Sequence, residues 1–350
     1  MKHKVAIIGL GGMGTWHLNN YGELGDILEV AGIWDIKESR REYARTRNVH
    51  VYQSLEDLLA DATIEVVLIA TPNDCHRPLA IQAMRAGKNV ICEKPVTLSS
   101  ADLAEMIRVS EETGRFLTVH QNRRWDRDFQ MVKEVMAGGQ LGPIFRFESR
   151  VQGAHGIPGD WRQEPEKGGG MVLDWGVHLL DQAALLYPEA KIRSVYATLT
   201  NITNTKVDDG FTCDLLLDNG VHVVIDVGTS NFITLPRWIV LGRDGTLRID
   251  NWGLEGDMIC AHGKDDKDVV PVITAAGLTK TMAPRREDTI KSYPLPDPWP
   301  DVKDYYRNVM AHLEGKEDLL ITLPQVARVM RLMEAVFESA KLGQVVPFED

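Results

Sequence analysis

The sequence predicts an α/β domain with a doubly wound parallel sheet, followed by an α+β domain around a large, mostly antiparallel open sheet. Strand and helix patterns alternate over the first third of the 350-residue chain. Apolar runs there are nearly continuous, as in strands buried on both faces, and strand-like runs dominate after Asn122. We therefore expect domains at 1–122 and 123–350, with the last helix a candidate to pack back toward the first domain.

Six segments of the first domain have strand patterns, at 4–9, 28–34, 50–52, 64–70, 89–92 and 116–120. The helices between them have recognisable starts. Ser54 precedes Asp57 by three residues, and Ser99 or Ser100 precedes a helical run, so these serines are expected to cap helix N-termini.

The second domain begins with a helical stretch at 126–137. Strand-like runs follow at 144–151, 195–200, 211–217, 221–227 and 239–241, and Asp218-Asn219-Gly220 between two of them indicates a hairpin. The proline-rich segment 283–300 predicts an extended loop, and helical patterns resume at 302–314 and 323–342.

Composition narrows the function classes. A net charge of -11 argues against nucleic acid or an anionic membrane as partner and favours a small neutral or cationic ligand. The apolar run at 5–10 is too short for a signal peptide or a membrane span. The cysteines, Cys75, Cys92, Cys213 and Cys260, are too scattered for a disulfide framework or a zinc site. These features predict a cytoplasmic protein.

The segment Gly9-Leu10-Gly11-Gly12-Met13-Gly14 lies between a predicted strand and a helix, the arrangement of a pyrophosphate cradle. Asp35 ends the second strand about 20 residues further on, where a carboxylate can bind the adenosine ribose diol and repel a 2'-phosphate. This favours NAD over NADP. Two alternatives stay open: Asp35 caps the next helix, or the nearby Lys37, Arg40 and Arg41 accommodate a phosphate.

Thr71-Pro72-Asn73 follows the fourth predicted strand, where a loop usually passes near the nicotinamide ribose. Asn73 fits equally well as the N-cap of the next helix. His76, in the first turn of that helix, has the pattern of an ordinary, partly exposed histidine. Lys94 comes just after the fifth predicted strand, between Glu93 and Pro95, so its amine is expected at the mouth of the nucleotide site.

The segment 168–181 is almost wholly apolar except for Asp174, His178 and Asp181. In a helix these three side chains share one face at i, i+4 and i+7. Ionisable groups on a buried stripe need partners and usually line a site. The structural alternative is that Asp174 caps the helix and His178 makes a single hydrogen bond.

Taken in order, these motifs resemble the Gfo/Idh/MocA oxidoreductases, named for glucose-fructose oxidoreductase, inositol dehydrogenase and rhizopine catabolism. The resemblance covers essentially the whole chain. The matching features are Gly9-x-Gly11-x-x-Gly14, Asp35, Thr71-Pro72-Asn73-x-x-His76, Glu93-Lys94-Pro95 and Gly170-x-x-x-Asp174-x-Gly176-x-His178.

The resemblance implies a Rossmann domain and NAD(H)-dependent hydride transfer to or from a secondary hydroxyl of a sugar, inositol or glycoside, with the cofactor released or retained. Lys94, Asp174 and His178 are the expected catalytic residues. We expect His178 to act as the base, Lys94 to hydrogen-bond the reacting oxygen and Asp174 to position a cation. The opposite assignment, with Lys94 as the acid/base, stays open.

The resemblance also implies a cis peptide bond before Pro95 and a homo-oligomer, either a dimer or a tetramer. It implies the residues that contact the cofactor and the substrate as well. We expect no metal. The expected cofactor contacts are Gly9, Gly11, Gly12, Met13, Gly14, Asp35, Thr71, Pro72, Asn73, His76, Glu93, Lys94, Gln121, Trp161 and Arg162. The expected substrate contacts are Lys94, Arg123, His155, Asp174 and His178. Arg123 and its neighbour Arg124 could instead be plain surface cations at a domain junction.

Two other functions are compatible with these motifs. One is a glycosidase that uses NAD transiently, with oxidation, elimination and return of the hydride. The other is a non-catalytic nucleotide-binding sensor on the same fold, which would not need Lys94 and His178.

Overall fold

The first domain contains a parallel sheet. The computed structural model describes residues 2–263 and 269–349. Within them, five strands pair in parallel in the order β2-β1-β3-β4-β5. The strands are β1 (His3–Ile8), β2 (Leu28–Trp34), β3 (Val66–Ile69), β4 (Asn89–Cys92) and β5 (Leu117–Val119). All four residues of β3 are fully buried, as expected of a strand covered on both faces.

Helices cover both faces of this sheet. They are α1 (Gly12–Gly22), α2 (Glu38–Thr46), α3 (Leu55–Ala60), α4 (His76–Arg85) and α5 (Ser100–Thr113). The Ser54 hydroxyl accepts a hydrogen bond from the Asp57 amide at 3.0 Å, and Ser99 does the same for Asp102 at 3.1 Å. Both predicted N-caps are therefore confirmed, with Ser99 rather than Ser100 capping α5.

The strand predicted at 50–52 is wrong. Only Val51 forms a bridge, to Ile33, supported by hydrogen bonds from the Ile33 amide to His50 and from the Tyr52 amide to Ile33. The Tyr52 hydroxyl donates to Asp61 at 2.7 Å, and the chain turns into α3 three residues later. Lys94 consequently follows the fourth strand of the sheet rather than the fifth.

The second domain contains the mostly antiparallel sheet that the sequence predicts. Its nine strands among the described residues pair in the order β15-β12-β11-β10-β6-β9-β8-β7-β16, and only β6 and β9 are parallel neighbours. The strands are β6 (Ile144–Gln152), β7 (Ile192–Thr200), β8 (Gly210–Leu217), β9 (His222–Gly228), β10 (Trp238–Gly242), β11 (Gly245–Ile249), β12 (Gly256–Ala261), β15 (Ile290–Tyr293) and β16 (Val346–Pro347).

Among the described residues, three helices pack against one face of this sheet: α6 (Arg127–Gly138), α7 (Val177–Leu186) and α9 (Leu323–Leu342). A further helix, α8 (Lys303–Leu313), lies against α1 of the first domain, where the Tyr306 hydroxyl hydrogen-bonds to His17 at 2.7 Å. The Ser339 hydroxyl on α9 accepts from the Ala197 amide of β7 at 2.9 Å, and Phe129 on α6 stacks on Trp238 of β10. The predicted hairpin at 218–220 is confirmed between β8 and β9, with Gly220 at a φ of 85°.

The extended loop predicted at 283–300 is only partly correct, because it contains a 3-10 turn (Glu287–Thr289) and the edge strand β15. Strands β11, β12 and β16 were not predicted, nor was the small hairpin β13 (Val272–Thr274) and β14 (Gly277–Thr279). β13, β14 and β16 have only two or three residues, too few to show a period, and β11 and β12 have only five and six.

Contacts from the last part of the chain reach the first domain. The Glu334 carboxylate on α9 accepts from the Ser100 amide and hydroxyl at the start of α5, both at 2.7 Å. The Thr118 hydroxyl on β5 donates to the Ile321 carbonyl at 3.1 Å. These bonds connect the last part of the chain to α5 and β5 of the first domain. Across residues 2–263 and 269–349, we find no helix with the length and apolar character needed to cross a membrane.

Candidate active site

The glycine loop joins β1 to α1 and leaves open space where a ligand can approach the protein backbone. A Cβ atom on Gly9 or Gly14 would clash with backbone oxygen atoms, at 2.7 and 2.0 Å, so these glycines allow close packing of strand, loop and helix. Gly11 and Gly12 have nothing within 4 Å of their Cβ positions. No side chain caps α1, so its first amides remain available. This arrangement fits a bound pyrophosphate.

Asp35 lies directly beside the loop. Its Oδ2 accepts from the Leu10 amide at 2.7 Å and its Oδ1 from the Lys37 amide at 2.8 Å, and the residue is 8% exposed. Lys37, not Asp35, is the N-cap of α2. The capping alternative is therefore wrong, and the carboxylate sits at the carboxyl end of β2, where a nucleotide ribose is bound in such folds.

Lys94 reaches across to the second domain. Its Nζ donates to Asp174 Oδ1 at 3.0 Å and to the Asp174 carbonyl oxygen at 2.9 Å. Arg162 donates to the other carboxylate oxygen, Oδ2, at 3.2 Å. Burial alone would raise the pKa of Asp174, but the two cations outweigh burial and lower it. The peptide bond between Lys94 and Pro95 is cis.

The segment carrying Asp174 begins with a π-helical turn (Val172–Gly176) that continues into α7. Asp208 holds its start, since its carboxylate accepts from the Val172 amide at 2.8 Å and its carbonyl from the Met171 amide at 3.0 Å. Gly170 has a φ of 102°, and a Cβ there would lie 2.2 Å from Asp208. The glycine and Asp208 thus set where the helix begins. Wide turns of this kind often occur at functional sites.

His178 is 4% exposed, and its Nδ1 is buried without a hydrogen-bond partner among the described residues. Burial lowers the pKa of His178 well below 6.5, and the charges of Lys94 and Arg123 lower it further. The Lys94 ammonium therefore lies near enough to the imidazole for its charge to act on it. A neutral imidazole with an unpaired nitrogen can accept a proton from a bound hydroxyl.

The predicted stripe of three ionisable residues is only partly correct. Asp181 turns to Arg124, whose Nε and Nη2 donate to its two oxygens at 2.8 and 2.7 Å, and both side chains are buried. This bidentate ion pair satisfies Asp181 away from Lys94. Arg124 is therefore not a plain surface cation. Asp174 and His178 remain as the site pair on this helix.

The loop after β3 is anchored by His76 and Asn73. His76 is fully buried, not partly exposed as the sequence suggested, and its ring nitrogens lie 2.9 Å from the carbonyl oxygens of Pro95 and Thr71. Asn73 donates to the Gly168 carbonyl at 3.2 Å and does not cap α4. Both contacts tie the loop 71–73 to the elements that carry Lys94 and Asp174.

Glu93 lies in a buried cluster that the sequence analysis missed. Its Oε1 accepts from His17 Nε2 at 2.7 Å and His120 Nδ1 at 2.9 Å, while Oε2 accepts from the Lys94 amide at 3.1 Å. Burial alone would raise the pKa of Glu93, but the histidine contacts outweigh it and lower the pKa. These hydrogen bonds, with one from the Tyr306 hydroxyl to His17 Nδ1 at 2.7 Å, account for the close approach of the three side chains.

An open cavity of about 470 Å³ adjoins Asp174, a size suited to a small molecule. Its walls include Arg123, Trp175 and Trp252. His155 is exposed, in the loop between the lining residues Gly153 and Gly156.

Two further residues of the expected cofactor set lie elsewhere around the site. Gln121 is 1% exposed with an unpartnered Oε1. Trp161 begins a 3-10 turn (Trp161–Gln163), and the Arg162 guanidinium lies 4.7 Å from the centre of its ring. Trp252 and His17 could not be recognised from motif spacing in the sequence, because each contacts the other site residues only through tertiary packing.

Comparison with known families agrees with this geometry. The family model described as "Oxidoreductase family, NAD-binding Rossmann fold" matches residues 3–121, and the "GFO/IDH/MocA C-terminal domain" matches residues 129–248. The chain belongs to the Gfo/Idh/MocA oxidoreductase family. It is an oxidoreductase with an NAD-binding Rossmann domain, so the fold class predicted from sequence is confirmed.

Several named proteins are similar to this chain. The scyllo-inositol 2-dehydrogenase (NADP(+)) IolW of Bacillus subtilis is 28% identical over 99% of this chain and 96% of its own length. The myo-inositol 2-dehydrogenase of Thermotoga maritima is 32% identical over 72% of this chain and 73% of its own. The crystal structure of an NAD-binding protein from Listeria innocua has a TM-score of 0.95 and 43% identity, covering 99% of both chains.

Other matches are partial. Two uncharacterized oxidoreductases of Schizosaccharomyces pombe are 37% and 39% identical, but the matched segments span 51% and 39% of their lengths, and 53% and 40% of this chain.

Proposed function

We propose that this protein is an NAD-dependent dehydrogenase that transfers a hydride between nicotinamide and a secondary hydroxyl or ketone of a sugar, inositol or glycoside. The observation that carries the proposal is the Lys94–Asp174 pair at 3.0 Å beside the buried, unpaired His178. A cation and a neutral base in one pocket are what alcohol oxidation requires. The names of the two inositol dehydrogenases similar to this chain support the substrate class.

In the proposed reaction, His178 takes the proton of the substrate hydroxyl. Its lowered pKa keeps the imidazole neutral at neutral pH, which is the form a base needs. Lys94 donates a hydrogen bond to the reacting oxygen and stabilises the negative charge that develops there. Asp174 holds the ammonium in place through two oxygens. Bound NAD would supply the hydride acceptor.

The other assignment makes Lys94 the acid/base. We favour His178 because its Nδ1 lacks a partner, whereas the Lys94 ammonium already donates to Asp174. A pH–rate profile separates the two, since a histidine base loses activity in acid and an ammonium would have to lose its proton at higher pH before it could act as a base.

We further propose a preference for NAD over NADP. The position of Asp35 at the end of β2 supports this preference, because a carboxylate beside the adenosine ribose would repel a 2'-phosphate. Of the three cations near Asp35, Arg41 already donates to Glu38 through Nε at 2.8 Å and to the Asp35 carbonyl oxygen through Nη1 at 2.9 Å. Asp35→Ser should therefore weaken NAD binding more than NADP binding, measured by titration. Equal losses would contradict the ribose contact.

The experiment that tests the proposal begins with an absorbance scan of purified protein for retained nicotinamide. Titration with sugars, inositols and glycosides follows, monitored through nicotinamide absorbance. We expect at least one cyclic polyol to change the redox state of the nicotinamide. If the cofactor stays bound through turnover, steady NADH will not accumulate, and a keto-sugar acceptor should restore product formation. Failure of every substrate with both designs would contradict the proposal.

We also propose that the protein works in the cytoplasm as a homo-oligomer, a dimer or tetramer. The face of the nine-stranded sheet opposite the helices presents Tyr196, Leu216 and Ile259, which are 39%, 42% and 37% exposed. A partner subunit would cover them. All four cysteines are free, which fits a reducing compartment. Light scattering coupled to size-exclusion chromatography measures the oligomer, and a monomer would contradict this part.

A further inference from the structure

Trp252 forms one wall of the cavity although it comes from a hairpin near one edge of the second sheet. It lies in the loop 250–255 between β11 and β12, and its side chain is 52% exposed. Its ring centre lies 6.1 Å from that of Trp175, at an interplanar angle of 43°. Trp175 follows Asp174 directly in the chain. The two indoles therefore extend an apolar surface from the Lys94–Asp174 pair outward.

Two guanidinium groups hold this surface in place. Arg123 lies 4.1 Å from the Trp175 ring centre and 5.5 Å from that of Trp252, and Arg237 lies 4.8 Å from Trp252. Arg237 is 3% exposed, so the cation behind Trp252 is itself fixed in the protein. Such contacts orient an indole ring without covering it fully. A large, fixed, half-exposed indole at a cavity is suited to binding an apolar ligand surface.

The charges around the cavity balance one another. Four cations each lie within 3.0 Å of a carboxylate oxygen: Lys94 of Asp174 at 3.0 Å, Arg123 of Asp126 at 2.9 Å, Arg162 of Asp160 at 2.8 Å and Arg237 of Asp128 at 3.0 Å, the last as an ion pair without hydrogen-bond geometry at Nε. An anionic ligand would have to compete with these carboxylates. The arrangement therefore favours an uncharged ligand.

We propose that Trp252, together with Trp175, is a stacking platform for one face of an uncharged six-membered ring, and that Trp252 determines specificity for rings over open-chain polyols. The C–H bonds on one face of an inositol or pyranoside ring form a flat apolar surface that matches an indole, while the hydroxyls at its edge can reach Lys94 and His178. An open-chain polyol presents no such flat face. This inference rests on the proposed function, because it places the ring in the same site.

The test compares Trp252→Ala and Trp252→Phe with a matched control, Trp299→Ala. Trp299 is 78% exposed and lies 4.0 Å from the Arg127 guanidinium, but it is not part of the cavity wall. With myo-inositol and a methyl pyranoside, Trp252→Ala should raise KM about tenfold at similar kcat, and Trp252→Phe about threefold or less. Trp299→Ala, and all variants with an open-chain hexitol, should stay near wild type. An unchanged KM, or equal increases for rings and the hexitol, would overturn the proposal.

A binding measurement distinguishes failure of the platform from failure of the proposed reaction. Titrating the wild-type protein with the neutral rings should quench tryptophan fluorescence, and Trp252→Ala should lose most of that change while Trp299→Ala keeps it. If this fluorescence result is obtained without any turnover, the stacking platform is supported and the proposed dehydrogenase activity is rejected. Turnover with no Trp252-dependent change would reject the platform alone. A uronate should bind at least tenfold more weakly than the matched neutral pyranoside, and tighter binding would overturn the uncharged-ligand claim. If Trp252→Ala does not fold, Trp252→Phe and the uronate comparison decide.

Discussion

The Lys94 ammonium binds both the carboxylate and the backbone carbonyl of Asp174, at 3.0 and 2.9 Å, across 80 residues of sequence. Lys94 follows strand β4 of the parallel sheet, and Asp174 lies in the π-helical turn that leads into α7 of the second domain. The carbonyl contact fixes the lysine relative to the helix backbone as well as to a side chain. The cation is thus positioned by the meeting of the two domains rather than by either domain alone.

This relationship predicts that the two residues act as a unit. Asp174→Asn should lower kcat on the order of 100-fold, because the ammonium loses the charge that orients it. Lys94→Ala with Asp174→Asn should be little worse than Lys94→Ala alone. Steady-state kinetics of the four proteins in the cycle measure this coupling. Lys167→Ala, which removes an exposed lysine paired with Glu164, should leave kcat near wild type. If the two site substitutions lower kcat independently, so that their effects multiply, Lys94 and Asp174 do not act as a unit.

The pH dependence of oxidation should reflect His178. Because its pKa in the folded protein lies well below 6.5, the imidazole is neutral above that pH and becomes charged only as the pH falls through the lowered value. We expect kcat/KM to have no acid limb near pH 6.5 and to decrease only at lower pH. His178→Asn should abolish that limb and reduce the rate. An essential deprotonation in the alkaline range would favour Lys94 as the base instead.

Removing the charge of Glu93 should weaken both stability and catalysis. Glu93→Gln leaves only a neutral acceptor for the hydrogen bonds from His17 and His120 and should cost about 2 kcal/mol in the free energy of unfolding, measured with urea, because hydrogen bonds to a charged group are stronger. Since Glu93 also binds the Lys94 amide, kcat should decrease while cofactor affinity changes less. Glu65→Gln is the control, because its contact with His3 is partly exposed and should be worth about 0.5 kcal/mol. Equal losses in the two variants would contradict a special role of the buried cluster.

The raised pKa of Asp208 should make the stability of the protein depend on pH in a defined direction. Burial raises its pKa to about 6 from 3.8, so the folded state holds this proton more tightly than the unfolded state. Its contribution is fully present below pH 3.8 and is lost as the pH rises through 6. Asp208→Asn cannot ionise, so between pH 4 and 7 its stability relative to wild type should improve by on the order of 3 kcal/mol in urea unfolding.

The neighbouring Asp209 serves as a control of opposite sign. Hydrogen bonds from the Thr203 and Ile202 amides outweigh burial and lower its pKa, so its contribution is lost as the pH falls. Asp209→Asn should therefore lose stability relative to wild type as the pH rises from acid to neutral. Parallel pH trends for the Asp208 and Asp209 variants would contradict the assignment of either carboxyl.

The site residues that could be predicted from the sequence are those whose positions depend on local spacing along the chain. The glycine loop, Asp35 and Lys94 each follow a predicted strand, and the carboxyl ends of parallel strands meet at one edge of the sheet. The helix that carries Asp174 and His178 was recognisable by its period. Hence the fold class and most elements near the expected site follow from the sequence alone.

The remaining features depend on packing that leaves no local pattern. Helical spacing placed Asp181 beside Asp174 and His178, but it could not show that Arg124 would take Asp181 into a buried ion pair. His17, on α1, meets Glu93 at the end of β4 through a contact between side chains 76 residues apart in the chain. Trp252 comes from a hairpin whose strands were not predicted. Long-range neighbours of this kind are set by tertiary contacts rather than by periodicity.

The most direct test of the account is the rate of nicotinamide reduction by a bound cyclic polyol in wild type, His178→Asn and Lys94→Ala, each saturated with NAD. We predict that each substitution slows this single turnover by about 100-fold or more while the affinity for NAD stays within about threefold of wild type. Near-wild-type reduction in both variants, with cofactor bound, would contradict the claim that these two side chains act together on the substrate hydroxyl.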